Sequence, residues 1–272
     1  SGGIKFSKNG TEKVGINVYG NFSTGGVGLT GIDTLSTTGN VTVTSSAYIK
    51  NIYTNGNVTL EGSARADLIS AKGWIYTKSG GTQGDLYADK YINITNGSLK
   101  NANTLSYIDW PSGGGTAQIL TAGGYVNFGS SSVNTIRAKG NVNLSTWGTV
   151  SDVMSEGKIK CVSTNWGNYT LLKAISFESC PTKNATTLPA GTDSIVATGA
   201  LVTVTAPNKP LVNALSYESQ ANYILDVDSN SKPVVTVKNV DGIPSGKYYI
   251  AKYTSNNIEY IGKLCPGIDT SG

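Results

Sequence analysis

A nine-residue phrase returns seven times along this chain, at intervals close to seventeen residues. It reads apolar, any, small, any, Gly, any, apolar, any, apolar. Copies open at Leu35, Ile52, Ile69 and Leu86, each seventeen residues after the last, and again at Leu120, Ile136 and Val153, spaced sixteen and seventeen. Residues 16–24 form a looser early copy, and the gap from Leu86 to Leu120 equals two periods. Self-similarity at a short fixed period marks a solenoid, in which each repeat lays its apolar face on the next.

Counting the opening residue as position 0, positions 0, 2, 6 and 8 share one parity, so on extended chain they point to one side. Positions 0, 6 and 8 are mostly Ile, Val or Leu, and position 2 is small: Thr37, Thr54, Ala71, Ala88, Ala122, Ala138, Ser155. Position 4 is Gly in six of the seven copies, with Lys90 the exception. A glycine between two short strands is expected to take a backbone conformation closed to other residues and turn the corner. A turn of this length is too short for a strand–helix unit but holds two or three short strands with their bends. The chain is therefore expected to be all-β, a parallel β-helix of about 17 residues per turn over residues 16–182. Its stacked core columns should contain Ile52, Val58, Leu60, Ile69, Ile75, Leu86, Ile92, Ile94, Val126, Phe128, Ile136, Val142 and Leu144. An antiparallel sandwich also alternates between turn signals, yet its strands need not repeat the same residue classes at the same offsets. Residues 105–116 break the phrase and read as one turn carrying an insertion, since Pro111 lacks a ladder donor.

After Pro181 the period gives way to plain alternation. Strands are expected at 194–199, 200–205, 223–227 and 233–238, and a hairpin joins 247–253 to 258–264. Residues 183–272 thus form a small antiparallel β domain or a cap on the solenoid, and residues 1–15 cover its other end, because an open last turn offers unpaired backbone.

The net charge of +4 is spread thinly, without a Lys/Arg run, which gives no footing for nucleic acid. No stretch of eighteen apolar residues is present, so no membrane span is expected in these residues, and Ser1-Gly-Gly reads as a processed start. The chain contains no histidine, which removes Ser-His-Asp and Cys-His nucleophiles and imidazole zinc sites. No Cys-x-x-Cys or phosphate-cradling loop appears. The chain is read as non-enzymatic, with no catalytic, cofactor or metal residue. Asp33, Asp67, Asp85 and Asp152 fall one or two places before a repeat start. Some parallel β-helix enzymes cleave polysaccharides with such acids and calcium, whereas Asp also favours corners for its own backbone bonding.

Of the three cysteines, Cys161 stands at position 8 and Cys180 nineteen residues later, about one turn on. Adjacent strands lie about 4.8 Å apart, inside the roughly 4.4–6.8 Å Cα range of a disulfide. A Cys161–Cys180 bond would indicate an oxidising compartment. Two buried thiols are the competing reading, and Cys265 competes as a partner for Cys180. Nine Asn-X-Ser/Thr sequons also occur, in a chain where those residues are abundant. Position 5 carries Asn40, Asn57, Trp74, Tyr91, Tyr125 and Asn141 in the clear copies, with Tyr76 at position 7. Since position 5 faces away from the core, Trp74, Tyr76, Tyr91 and Tyr125 form a candidate binding face for glycans or a protein. A self-stacking ladder that only stabilises the solenoid is the alternative.

The phrases Ile52–Leu60 and Ile136–Leu144 resemble the repeats of bacterial polymer-forming β-solenoids of the bactofilin type, and still more the ectodomains of pilus-associated minor pilins. The resemblance spans residues 16–160. It implies an extracellular structural or adhesive protein whose partners are other filament or surface subunits, with glycans or a host surface as further candidates. A minor pilin opens with a long apolar helix that these residues lack, and bactofilins are cytoplasmic without a second β domain. A polysaccharide-binding or polysaccharide-degrading β-helix is the alternative.

Overall fold

The computed structural model describes residues 14–18, 20–26, 30–145, 148–162 and 168–205, and the strands 223–227, 233–237, 246–255 and 258–266. The chain divides into two units, Ser1–Thr205 and Ala206–Gly272. In the first, nineteen strands from β1 (Val14–Val18) to β19 (Ala185–Thr187) form one continuous sheet wound into a parallel β-helix. The register stacks Leu35 on Ile52, Ile69, Leu86, Ala102, Leu120, Ile136, Val153 and Leu172 in succession, each about one period from the next.

Each turn holds three short extended runs. In β9 (Thr82–Ala88) the buried residues are Gln83, Leu86 and Ala88, a spacing of three and then two that marks a corner inside the strand. The same slip recurs in β11 (Ser98–Thr104) and β15 (Ser132–Ala138). The third run is short, as in β10 (Ile92–Ile94). All thirteen expected core residues are at most 1% exposed.

A further core column, three places before position 0, is not apparent from the phrase. It comprises Ile32, Ile49, Ala66, Gln83, Leu99, Ala117, Val133, Val150 and Tyr169, all buried. Alanines and a glutamine disguise it. Gln83 is satisfied inside, donating from Nε2 to the Ala64 carbonyl at 2.8 Å and accepting from the Ala66 amide at 2.9 Å.

Position 4 needs glycine for a reason other than the expected one. Gly39, Gly56, Gly73, Gly124, Gly140 and Gly157 do not adopt positive φ. Instead each corner sits on the corner below: a Cβ on Gly56 would lie 2.5 Å from the Gly39 carbonyl carbon, and one on Gly73 2.0 Å from Asn57 Oδ1. Position 2 completes this corner. The Thr54 hydroxyl donates to the Gly39 carbonyl of the preceding turn and accepts from the Gly56 amide at 2.9 Å. Ser155 does the same with Gly140 at 2.8 Å and Gly157 at 3.0 Å.

The interrupted stretch is a regular turn. Ala102 takes position 0, Ser106 position 4, Ile108 position 6 and Trp110 position 8, and the loop 111–115 before β13 (Thr116–Ala122) makes the turn one residue longer than the period. Trp110 is wholly buried and meets Phe128 edge to face, with centroids 6.0 Å apart.

At the far end β17 (Thr149–Cys161) pairs with β18 (Asn168–Glu178), and a 3-10 turn at Thr182–Asn184 leads into β19. Cys161 and Cys180 are bonded across these last turns with Cα atoms 4.9 Å apart, which leaves neither for Cys265.

Beyond β19 the structure corrects the sequence reading. Residues 194–205, expected as two strands, belong to no sheet. They run extended across the outside of the solenoid, back against its direction of growth. Their amides bond to side chains of successively earlier turns: Ile195 to Glu156 Oε1 at 2.7 Å, Thr198 to Asn103 Oδ1 at 2.6 Å, Ala200 to Asp89 Oδ1 at 2.7 Å, Leu201 to Ser70 Oγ at 2.8 Å and Val204 to Asn55 Oδ1 at 2.8 Å. Asn55 Nδ2 returns a bond to the Val204 carbonyl at 2.6 Å. The amides that turn to the rod include the consecutive pairs Ser194/Ile195 and Ala200/Leu201, so side chains of the rod, not a ladder, hold this segment. Ile195 is its buried anchor.

The second unit contains an antiparallel sheet of β20 (Tyr223–Val227), β21 (Pro233–Val237), β22 (Gly246–Ser255) and β23 (Ile258–Pro266), paired in chain order. The expected hairpin is β22 with β23, which holds Cys265 opposite Tyr249 in the register. Of the expected N-terminal cap, residues 1–13 lie outside the described residues.

Candidate binding face

Position 5 forms one continuous column whose chemistry changes along its length. At the start, asparagines climb turn by turn: Asn21 Oδ1 accepts from the Asn40 amide at 2.8 Å, Asn40 Oδ1 from the Asn57 amide at 2.9 Å, and Asn57 Oδ1 from the Trp74 amide at 3.0 Å. These corner amides precede the next strand, and the side chain one turn below supplies the acceptor they need. At Trp74 the column turns aromatic. Trp74 and Tyr91 stack at 6.0 Å, Tyr91 and Tyr107 at 5.0 Å, and Tyr107 and Tyr125 at 4.6 Å, with planes within 10° of parallel. Asn141 then resumes the polar pattern, accepting from the Lys158 amide at 2.9 Å.

The structure brings Trp74, Tyr91 and Tyr125 together through Tyr107, which sequence reasoning missed. Its turn opens on Ala102 and has Ser106 where the phrase wants Gly, so the copy goes unseen. The surviving signal is Tyr107, Ile108 and Trp110 at offsets 5, 6 and 8. Tyr76 lies apart from this stack. It belongs to the position 7 column, registered with Thr59 and Asn93, and Lys78 Nζ lies over its ring at 4.9 Å.

Because the rings lie on one another, their faces are shared internally and their edges turn outward. Trp74, Tyr91 and Tyr107 are half-buried, while Tyr125 is 39% exposed. Burial holds the Tyr107 hydroxyl above its ordinary pKa, aided by Tyr125, Tyr91 and Asp109. Burial does the same for Tyr125, with Asp109 next in importance. Beside the aromatic stack runs an amide stack at position 7: Asn127 Nδ2 donates to Asp109 Oδ1 at 3.2 Å, and Asn143 Nδ2 to Asn127 Oδ1 at 2.7 Å.

The acids that could have formed an outer catalytic or calcium row are each engaged by a neighbouring group. Lys50 lies 3.5 Å from Asp33, Lys100 3.3 Å from Asp85, and Arg137 pairs with Asp152. Tyr48 donates to Asp67 at 2.7 Å, which raises the Tyr48 pKa through that bond. Among the described residues no group of three or more His, Cys, Asp or Glu gathers as a metal site.

On another side, a shallow depression of about 400 Å³ is lined by Thr82, Ser98, Lys100, Thr116, Gln118 and Ser132, hydroxyls and amides in register on adjacent turns. Among the described residues, no helix is long and apolar enough to cross a membrane. No family model matches the chain, and no curated protein or solved structure shows significant similarity to it.

Proposed function

We propose that this chain is a non-enzymatic extracellular structural and adhesive protein, a subunit associated with a pilus or other surface filament that presents a face of its solenoid to a partner. One observation carries the reading: the outward side chains of the solenoid partner along its axis, turn on turn. The Asn column, the aromatic stack, the position 7 amides and the ion pairs Lys78–Glu61 and Lys158–Glu178 all join adjacent turns. Each surface ion pair contributes little by itself, but their common direction along the axis favours a stiff rod. The Cys161–Cys180 bond supports an oxidising compartment, and the repeats resemble those of surface solenoids. The edges of Trp74, Tyr91 and Tyr125 supply the adhesive contact.

The test has two arms. Thiols are alkylated at harvest in the native organism while intact cells are labelled with a membrane-impermeant reagent; a bonded, labelled protein is expected. The variant Trp74→Ser with Tyr91→Ser and Tyr125→Ser, checked for folding by circular dichroism, should then lose binding to cells or filaments. Free thiols in an unlabelled, intracellular protein overturn the reading. The hydroxyl and amide depression around Thr82 and Ser132 favours glycan binding as a second reading. New chain ends released from acidic polysaccharides, or binding of them lost on Gln118→Ala, would put that reading first.

A further inference from the structure

The segment 194–205 is held in a way that does not identify it as belonging to its own rod. We propose that the side chains beneath it, Asn55, Ser70, Asp89, Asn103 and Glu156, form a receptor for extended main chain, and that this receptor takes the same segment from a second copy, so that two rods associate by exchanging straps.

The geometry fits such a receptor closely. Ile195 and Val204 are anchored six turn-to-turn steps apart. At about 4.8 Å per step the rod advances roughly 29 Å, and nine residues of extended chain reach about 30 Å. The contacts are backbone amides on side-chain acceptors, with one carbonyl, that of Val204, accepting from Asn55 Nδ2, so recognition reads shape and spacing and ignores most side chains. The strap's own identity enters at two places. Ile195 is buried, and Gly199 lies where a Cβ would come 2.2 Å from Asp89 Oδ1 and 2.9 Å from Leu105.

Three features point to a second copy as the alternative occupant. First, the strap is in no ladder, so lifting it leaves the solenoid's backbone bonds intact. Second, it is preceded by a tight turn, with the Thr192 amide on the Pro189 carbonyl at 3.3 Å and Gly191 at a φ of +80°. A short hinge of this kind is where exchange between identical chains begins. Third, the seated strap leaves apolar side chains in solvent: Val196 is 80% exposed, Leu201 47%, Val202 46%, and Leu105 beside Gly199 53%. Exposed apolar side chains along one segment favour a contact surface, and exchange brings a second rod close to them. The inference stands whether or not the protein is a surface subunit.

Lys139 and Asp193, 2.6 Å apart where the strap begins, supply the readout. Full-length chains labelled with light and heavy nitrogen are mixed equally and refolded together at high concentration with the disulfide intact. Carbodiimide then couples Lys139 to Asp193, monomer and oligomer are separated by size, and the joined peptides are weighed. About half of the coupled peptides in an oligomer fraction should pair a light with a heavy chain, and none in the monomer. Gly199→Val should cut the oligomer at least tenfold with the solenoid's circular dichroism preserved. Glu156→Ala, which removes one acceptor that the closed monomer and the exchanged oligomer both use, should leave their ratio within about twofold while speeding the approach to it. No oligomer, an oligomer with only single-isotope pairs, or one that survives Gly199→Val overturns the proposal.

Discussion

At the level of single residues, the corners show what the repeat demands and how far the sequence discloses it. Glycine at position 4 was legible; the cause was not, because close approach depends on the turn below and not on local backbone. Gly73 makes the point testable. A Cβ there would meet Asn57 Oδ1 at 2.0 Å and the Gly56 carbonyl oxygen at 2.6 Å, the two atoms that accept from the Trp74 and Gly73 amides. Gly73→Ala should therefore cost about 1–3 kcal/mol, as overpacking does. Gly114, in the loop after Trp110, has open space around it and no positive φ. Gly114→Ala should stay within about 0.5 kcal/mol of the parent. Denaturant midpoints compared at constant slope measure both. Equal losses at the two sites would mean that glycine is used for flexibility instead of clearance.

Between residue and rod stand the columns, and here the sequence was readable in proportion to how strictly each column keeps one chemistry. Positions 0, 6 and 8 are apolar in the seven copies but for Thr77, and were found. The column through Gln83 mixes apolar with polar, and the strap imitates a strand by alternation while bonding only to side chains. Three of the four stacked rings were found, and Tyr107 was missed because it sits in a turn whose opening residue is Ala102. Tyr107 is an inner member of the stack, lying on both Tyr91 and Tyr125. At about 0.5–1.5 kcal/mol per pair beyond burial, Tyr107→Ser should lose about 1–3 kcal/mol in the two pairs and Tyr125→Ser about half as much. The same stack predicts an alkaline limit. Burial raises the native pKa of Tyr107 and Tyr125, and of the core residue Tyr169, above the usual value of about 10, so the folded state holds these protons more tightly than the unfolded chain. Their contribution is fully present below about pH 10 and is lost as pH rises through the native values. Unfolding midpoints should be flat up to that pH and fall above it. Tyrosine absorbance should show ionisation delayed relative to the denatured protein, and a denaturation curve that falls equally in Tyr107→Ser would place the alkaline limit elsewhere.

Over the molecule as a whole, a parallel β-helix has almost no contacts between distant turns, so its stability is a sum of turns and their interfaces and it can open from an end. Among the described residues the strap departs from that rule, whereas the disulfide strengthens one interface between neighbouring turns. The strap ties the turn of Glu156 to that of Asn55, while Cys161–Cys180 ties only the last turns, where β17 and β18 meet with a register shift between Ser155 and Lys158. That junction was legible from spacing because a covalent bond between neighbours needs only one period. The strap was not, since its partners lie up to 149 residues away. A loop closed over nineteen residues should stabilise by roughly 3 kcal/mol in the chain-entropy model. In a rod that amount is drawn from the end that carries it. Reduction should therefore speed native-state hydrogen exchange in Thr149–Cys161 and Asn168–Glu178 by up to about a hundredfold, each tenfold being about 1.4 kcal/mol. Exchange in Ile75–Ser79 and Thr82–Ala88, four or more turns away, should change little. Acceleration of equal size in both regions would show that the solenoid unfolds as a single cooperative block, with the strap the natural cause; repeating the measurement in Asn55→Ala, which frees the strap at its far end, should then restore the gradient.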